Sequence, residues 1–204
     1  MSINHYNRHN TTTEPPTPTQ QQQIQLLKDA ITEHPNFPKP NILFYNILPV
    51  LQSPTLHHIL IIQCIQSIQL SSVPITHICA IEARGYLIGC TLSYLLQLPF
   101  IPIRKYNKLP LPVYTQQYEL EYGSDVIQIQ CNTGLDHDSN VCIVDDLLAT
   151  GGTLNAAINL ISQTNASVIQ CLCIVELLNL MGRQYIGKQH KQSIQIQSII
   201  QYEQ

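Results

Sequence analysis

Apolar residues first recur with helical spacing at Ile24, Leu27 and Ile31, which predicts a helix over about Ile24–Glu33. Three prolines between His34 and Asn41 then enforce an extended loop. After "ILFYNILPVL", a second helical period (Leu56, Ile59, Leu60, Cys64, Ile68) predicts a helix from about Thr55 to Gln69. From there strands and helices alternate. "THICAI" reads as a strand, Gly85–Leu96 as a helix and "PFIPI" as a strand. "RKYNKLPLPVYTQQYELEYG" is long, polar and aromatic, with no regular period, whereas "VIQIQC" alternates as a strand does. "VCIVD" is an uninterrupted apolar run of the kind buried on both faces of a parallel sheet. Thr153–Thr164 reads as a helix and "ASVIQCLCIVEL" as another strand. The alternation predicts an α/β fold with a mainly parallel, twisted sheet flanked by helices.

Composition narrows this picture. Residues 1–23 are polar and rich in Pro and Gln, so a disordered tail is expected, with 24–204 forming a single domain. Charged residues make up only 11% of the chain, the net charge is −3, and no basic cluster stands out, which argues against nucleic acid as a partner. The seven cysteines are odd in number, lie mostly in apolar runs and form no C-x-x-C pair. They read as free core thiols in a reducing, cytoplasmic setting, with Cys171 and Cys173 on one side of a strand. The uncharged stretch Gly85–Ile103 is long enough to suggest a membrane span, but Ser93, Gln97 and above all Pro99 divide it into helix, turn and strand. No signal peptide is evident, and no membrane association is expected. The eight histidines are dispersed without metal-ligand spacing.

The chemistry concentrates in "VCIVDDLLATGGT", Val141 to Thr153. In parallel sheets ligands sit at the carboxyl ends of strands, and Asp145 and Asp146 fall where "VCIV" ends. The following "ATGGT" can wrap backbone N–H groups around an anion, with Gly151 and Gly152 permitting close approach and the next helix adding its positive end. The string lacks the Lys of a nucleotide-triphosphatase loop and the G-x-G-x-x-G of a dinucleotide fold. A plain turn needs only one or two such residues. Carboxylates this near a phosphate cradle suit a ribose 5-phosphate, in an enzyme or in a sensor alike.

The same string resembles the phosphoribosyl-pyrophosphate (PRPP) motif of type I phosphoribosyltransferases, and in detail the family's adenine-specific branch. "NFPKPNILFYNILPVL", "IEARGYLIG", "IRKYNKLPLP", "YELEYG", "VELLNLMGR" and "IIQYE" resemble that family's other blocks in order, covering about Ile24 to Glu203. The resemblance implies a small N-terminal hood at about 34–50, a flexible lid at about 105–123, and conversion of adenine and PRPP to AMP and pyrophosphate in a cytoplasmic homodimer. It places pyrophosphate on Arg84, in a loop where a non-proline cis peptide is usual, and on Arg104, Lys105 and Lys108. Asp145 and Asp146 would hold the ribose hydroxyls, and Ala149, Thr150, Gly151, Gly152 and Thr153 the 5′-phosphate. Glu121 would exchange a proton with the purine, with Tyr122 on the PRPP side and Glu119 a nearby decoy. Arg84, Glu121, Asp145 and Asp146 are thus the expected catalytic residues. Adenine would stack on Phe44, with backbone contacts from Leu43 and Tyr45. Mg²⁺ would be held mainly by PRPP and water, without dedicated protein ligands.

The hood departs from the pattern. The family commonly reads F-R-D-I-[ST]-P, where this chain has Phe44-Tyr45-Asn46-Ile47-Leu48-Pro49. Losing the Arg and Asp leaves open a related transferase for xanthine or another 6-oxopurine. A non-catalytic PRPP-binding regulator on the same fold is the rival from another class. Leu111 also replaces a common lid Gly.

Overall fold

Strands β3 (His77–Ile81), β4 (Phe100–Lys105), β7 (Asn140–Leu148), β8 (Ser167–Leu177) and β9 (Gln195–Tyr202) form the parallel centre of the sheet. This is a computed structural model that describes residues 18–120, 123–190 and 193–203. Two further strands, β5 (Val113–Leu120) and β6 (Gly123–Gln130), extend one edge antiparallel, giving the order β5-β6-β4-β3-β7-β8-β9. The apolar runs are continuous because both faces are covered. Along β3, Ile78 and Ala80 enter one core with Leu60, Ile88 and Leu92, while Cys79 and Ile81 enter the other with Leu154, Leu160 and Ile161. The helices α1 (Gln20–Ala30), α2 (Leu48–Gln52), α3 (Pro54–Gln69) and α4 (Arg84–Leu96) belong to the first face, and α5 (Gly152–Ser162) and α6 (Gly182–Gln189) to the second.

Several expected boundaries move. The first helix starts at Gln20, inside the expected tail, because Thr19 and Gln22 form a reciprocal capping box, with bonds of 3.3 and 2.8 Å. It ends at Ala30 rather than Glu33, and residues Thr32–Pro35 (β1) pair antiparallel with Leu43–Asn46 (β2) to make the hood hairpin. The segment without periodicity contains β5, a full strand held by its register with β6. The residues 1–17 lie outside those described.

Five cysteines are buried and two, Cys90 and Cys131, are exposed. Cys171 and Cys173 do share one face, in the second core, and burial pushes the Cys171 thiol up to about 12, which keeps it protonated and inert. Gly85–Ile103 divides as expected, α4 ending at a left-handed Gln97 before Pro99 and β4. Among the described residues no helix is long and apolar enough to cross a membrane.

Candidate active site

The connections after β3 and β7 leave in opposite directions, α4 toward β4 and α5 toward β8, so a crevice opens between the carboxyl ends of these neighbouring strands. A cavity of about 350 Å³ lies there, lined by Glu82, Arg84, Lys105, Asp145, Asp146 and the run Ala149–Thr153. Nine residues expected at the site, Arg84, Lys105, Asp145, Asp146 and the five from Ala149 to Thr153, therefore share one space.

Asp145 and Asp146 end the apolar run of β7 and are only 7% and 8% exposed. Asp145 accepts the Asp146 backbone N–H at 2.9 Å, and Arg84 Nε donates to Asp146 Oδ2 at 2.5 Å. Burial, and then the neighbouring Asp146 charge, push the Asp145 carboxyl well up, so it keeps its proton to higher pH than an ordinary aspartate. Gly151, at φ +88°, precedes α5, and no described side chain caps that helix start. Its first N–H groups and positive dipole end are thus available to an anion.

Two glycines allow this close assembly. A Cβ on Gly85 would stand 2.7 Å from the Val144 carbonyl oxygen, so only glycine lets α4 press against β7 beside the aspartates. A Cβ on Gly151 would stand 2.7 Å from the Gly182 carbonyl oxygen, which ties the phosphate-type loop to the start of α6. Neither contact is readable from spacing, because the partners lie far apart in the chain.

Three of the expected cations, Arg84, Arg104 and Lys105, are paired with carboxylates. Arg104 reaches Glu82 through Nε and Nη2, both at 3.2 Å, and donates from Nη1 to the Lys108 carbonyl oxygen at 3.1 Å. The Arg104 hydrogen bond is the main cause holding the Glu82 carboxyl below its usual range. Arg104 itself does not line the cavity; Lys108 is exposed at its side. Lys105 does line it, its backbone N–H donating to Glu82 at 3.0 Å and its ammonium bonded to Asp125 and Tyr118. Asp125 and Tyr118 were not singled out from sequence. Glu119, one residue before the end of β5, has its carbonyl oxygen 3.4 Å from where a Cβ on Gly152 would lie. Glu121 and Tyr122 lie outside the described residues. The peptide Glu82–Ala83 is cis, as the resemblance implied.

Phe44 does not line the cavity but approaches it through Arg84. Its ring lies 5.6 Å from the Arg84 guanidinium carbon and packs edge-on against Phe37 at 5.1 Å. Tyr45 points the other way, buried against Tyr202 with ring centroids 4.2 Å apart, and Leu43 packs on the first core. Asn46 Oδ1 accepts the Leu48 N–H at 3.1 Å, a turn-making bond that an aspartate would also make.

A parallel sheet with paired carboxylates, an uncapped glycine-rich helix start and facing cations defines an α/β protein suited to a phosphorylated sugar. Residues 56–202 match the phosphoribosyl transferase domain family, and the chain belongs to it. Its relatives there include the adenine phosphoribosyltransferase of Pectobacterium carotovorum subsp. carotovorum, 39% identical over 168 residues that cover 82% of this chain and 89% of that protein. That of Bos taurus is 39% identical over 182 residues, covering 89% and 98%. Among solved structures, the adenine phosphoribosyltransferase of Thermoanaerobacter pseudethanolicus superposes with a TM-score of 0.81 at 36% identity, over 88% of this chain and 99% of that one. The Saccharomyces cerevisiae enzyme, complexed with an imino-altritol bisphosphate and adenine, gives 0.79 at 37% identity, over 87% and 98%.

Proposed function

We propose that this protein is an adenine phosphoribosyltransferase, making AMP and pyrophosphate from adenine and PRPP. The observation that carries this reading is Arg84, whose guanidinium pairs with Asp146 and lies 5.6 Å from Phe44. One cation thereby joins the carboxylate end of the cavity to the hood. The relatives' names and the adenine held by the yeast enzyme support the choice of base.

In this reading the 5′-phosphate sits on Ala149–Thr153 at the start of α5, and the ribose hydroxyls on Asp145 and Asp146. Arg84 and Lys105 take the pyrophosphate, with Arg104 and Lys108 on the same segment, and adenine stacks on Phe44 beside the backbone of Leu43 and Tyr45. The bond from ribose C1′ to pyrophosphate breaks and one from C1′ to the base nitrogen forms, with positive charge building on the sugar between them. The buried carboxylates lie where that charge develops, and the cations where the leaving group gathers its own. Glu121 exchanges the purine proton, with Tyr122 on the PRPP side. The cavity offers hard carboxylate oxygens, a donor set that fits Mg²⁺, and no described residues form a cage of three or more His, Cys, Asp or Glu. When bound with PRPP, Mg²⁺ would be held mainly by PRPP oxygens and water and would neutralise charge on the pyrophosphate. The working unit is a cytoplasmic homodimer; Leu87, Tyr94 and Leu95 leave an apolar strip on α4 that pairing would cover.

The test is AMP formation from adenine, PRPP and Mg²⁺. Arg84→Ala is expected to lower kcat/KM for PRPP by roughly a hundredfold, since it removes a charge-assisted contact made to the leaving group. No AMP from the native protein would sink the proposal.

A further inference from the structure

We propose that Asp125, together with Tyr118, is a positioning residue that holds the Lys105 ammonium at the cavity edge to receive the pyrophosphate of PRPP. The inference rests on the function proposed above. Lys105 is the last residue of β4, at the point where the β5–β6 hairpin joins the sheet. Tyr118 and Asp125 are direct cross-strand partners in that hairpin. Their side chains close a ring with the lysine: Lys105 Nζ donates to Tyr118 Oη at 3.1 Å and to Asp125 Oδ2, and Tyr118 Oη donates to Asp125 Oδ2 at 3.1 Å. The second carboxylate oxygen of Asp125 accepts the Val126 N–H at 2.8 Å, which fixes its rotamer. At the other end of the lysine, Glu82 accepts the backbone N–H.

A lysine stem has four rotatable carbons and loses much freedom when a ligand orders it. Here that freedom is already removed before a ligand arrives. An ammonium has three donors, and Asp125 and Tyr118 occupy two, leaving one for a phosphate oxygen. Lys105 lines the cavity, whereas Asp125 and Tyr118 do not, so the carboxylate stands behind the cation and not in the ligand's place. Were Asp125 instead a competitor for the cation, removing it would tighten PRPP binding. The two roles predict opposite signs.

Steady-state kinetics with adenine and PRPP separate them. Asp125→Ala is expected to raise KM for PRPP roughly fivefold, with KM for adenine unchanged and kcat within about twofold. Asp125→Asn, which keeps the shape without the charge, should fall between. In a Lys105→Met background Asp125→Ala should have no further effect, whereas a purely structural role would persist there. An unchanged or lowered KM for PRPP, or the same increase in the Lys105→Met protein, overturns the inference. If Asp125→Ala does not fold, Asp125→Asn and Tyr118→Phe carry the same comparison. Turnover by the native protein is measured alongside, and its absence would count against the proposed function instead.

Discussion

Gly151 shows how much one residue decides at this site. Its φ of +88° lies in the left-handed region, and a Cβ there would meet the Gly182 carbonyl oxygen at 2.7 Å. Gly151→Ala therefore carries backbone strain and a clash together, at a cost of about 1–3 kcal/mol. The expected outcome is a raised KM for PRPP and a lower Tm, because the loop must move from Gly182 to relieve the contact. Unchanged PRPP kinetics in this variant would count against the loop as the phosphate cradle. At this scale the sequence was informative wherever the functional groups are neighbours in the chain. Asp145, Asp146 and the "ATGGT" turn could be read together because they lie within one loop of the chain. Gly85, Tyr118 and Asp125 could not, since their roles come from partners brought together only by the sheet. The grip of Glu82 on Arg104 and the Lys105 backbone likewise exists only in three dimensions.

Elements were legible according to how they are buried. The strands β3, β4, β7 and β8 announce themselves as apolar runs because helices cover both faces. The edge strand β5 does not, since "YTQQYEL" mixes polar and aromatic residues and its order comes from pairing with β6. The end of the chain was similarly unassigned, yet β9 and α6 are tied together by a network around Glu176, which is only 2% exposed. Arg183 Nε and Nη2 donate to the two Glu176 oxygens at 3.0 and 2.5 Å, and Ser198 Oγ and Gln201 Nε2 donate to Oε2 at 2.5 and 3.1 Å. Burial alone would raise this carboxyl, but Arg183, Ser198 and Gln201 outweigh it and hold it below its ordinary 4.5. Its stabilisation is complete above that ordinary value and is lost as pH falls through the lowered folded value. Arg183→Met leaves the carboxylate buried with two neutral donors, and about 2–4 kcal/mol should be lost at neutral pH. Thermal melts should show the gap to the native protein narrowing below about pH 4.5. A gap that is constant with pH would contradict this account of the network.

For the whole molecule, the α/β architecture followed from the order of elements, and the site fell at the crevice that this order dictates. The hood was harder to judge. Tyr45 and Asn46 replace residues that bear charge in the family's common pattern, and from sequence they put the choice of base in question. In the structure the Tyr45 ring fills the first core against Tyr202, and Asn46 keeps the turn into α2. Phe44 alone turns toward Arg84. The substitutions therefore fall behind the surface that would meet the base. The proposed dimer is checked by light scattering, where a mass of one chain would rule it out.

The most direct measurement is competition among adenine, hypoxanthine, guanine and xanthine for PRPP with the native protein. The account predicts a kcat/KM for adenine at least about a hundredfold above any 6-oxopurine, the order of discrimination that mispaired buried polar groups impose. Preference for a 6-oxopurine would contradict the reading of the hood, and no turnover with any base would contradict the assignment of this site to phosphoribosyl transfer.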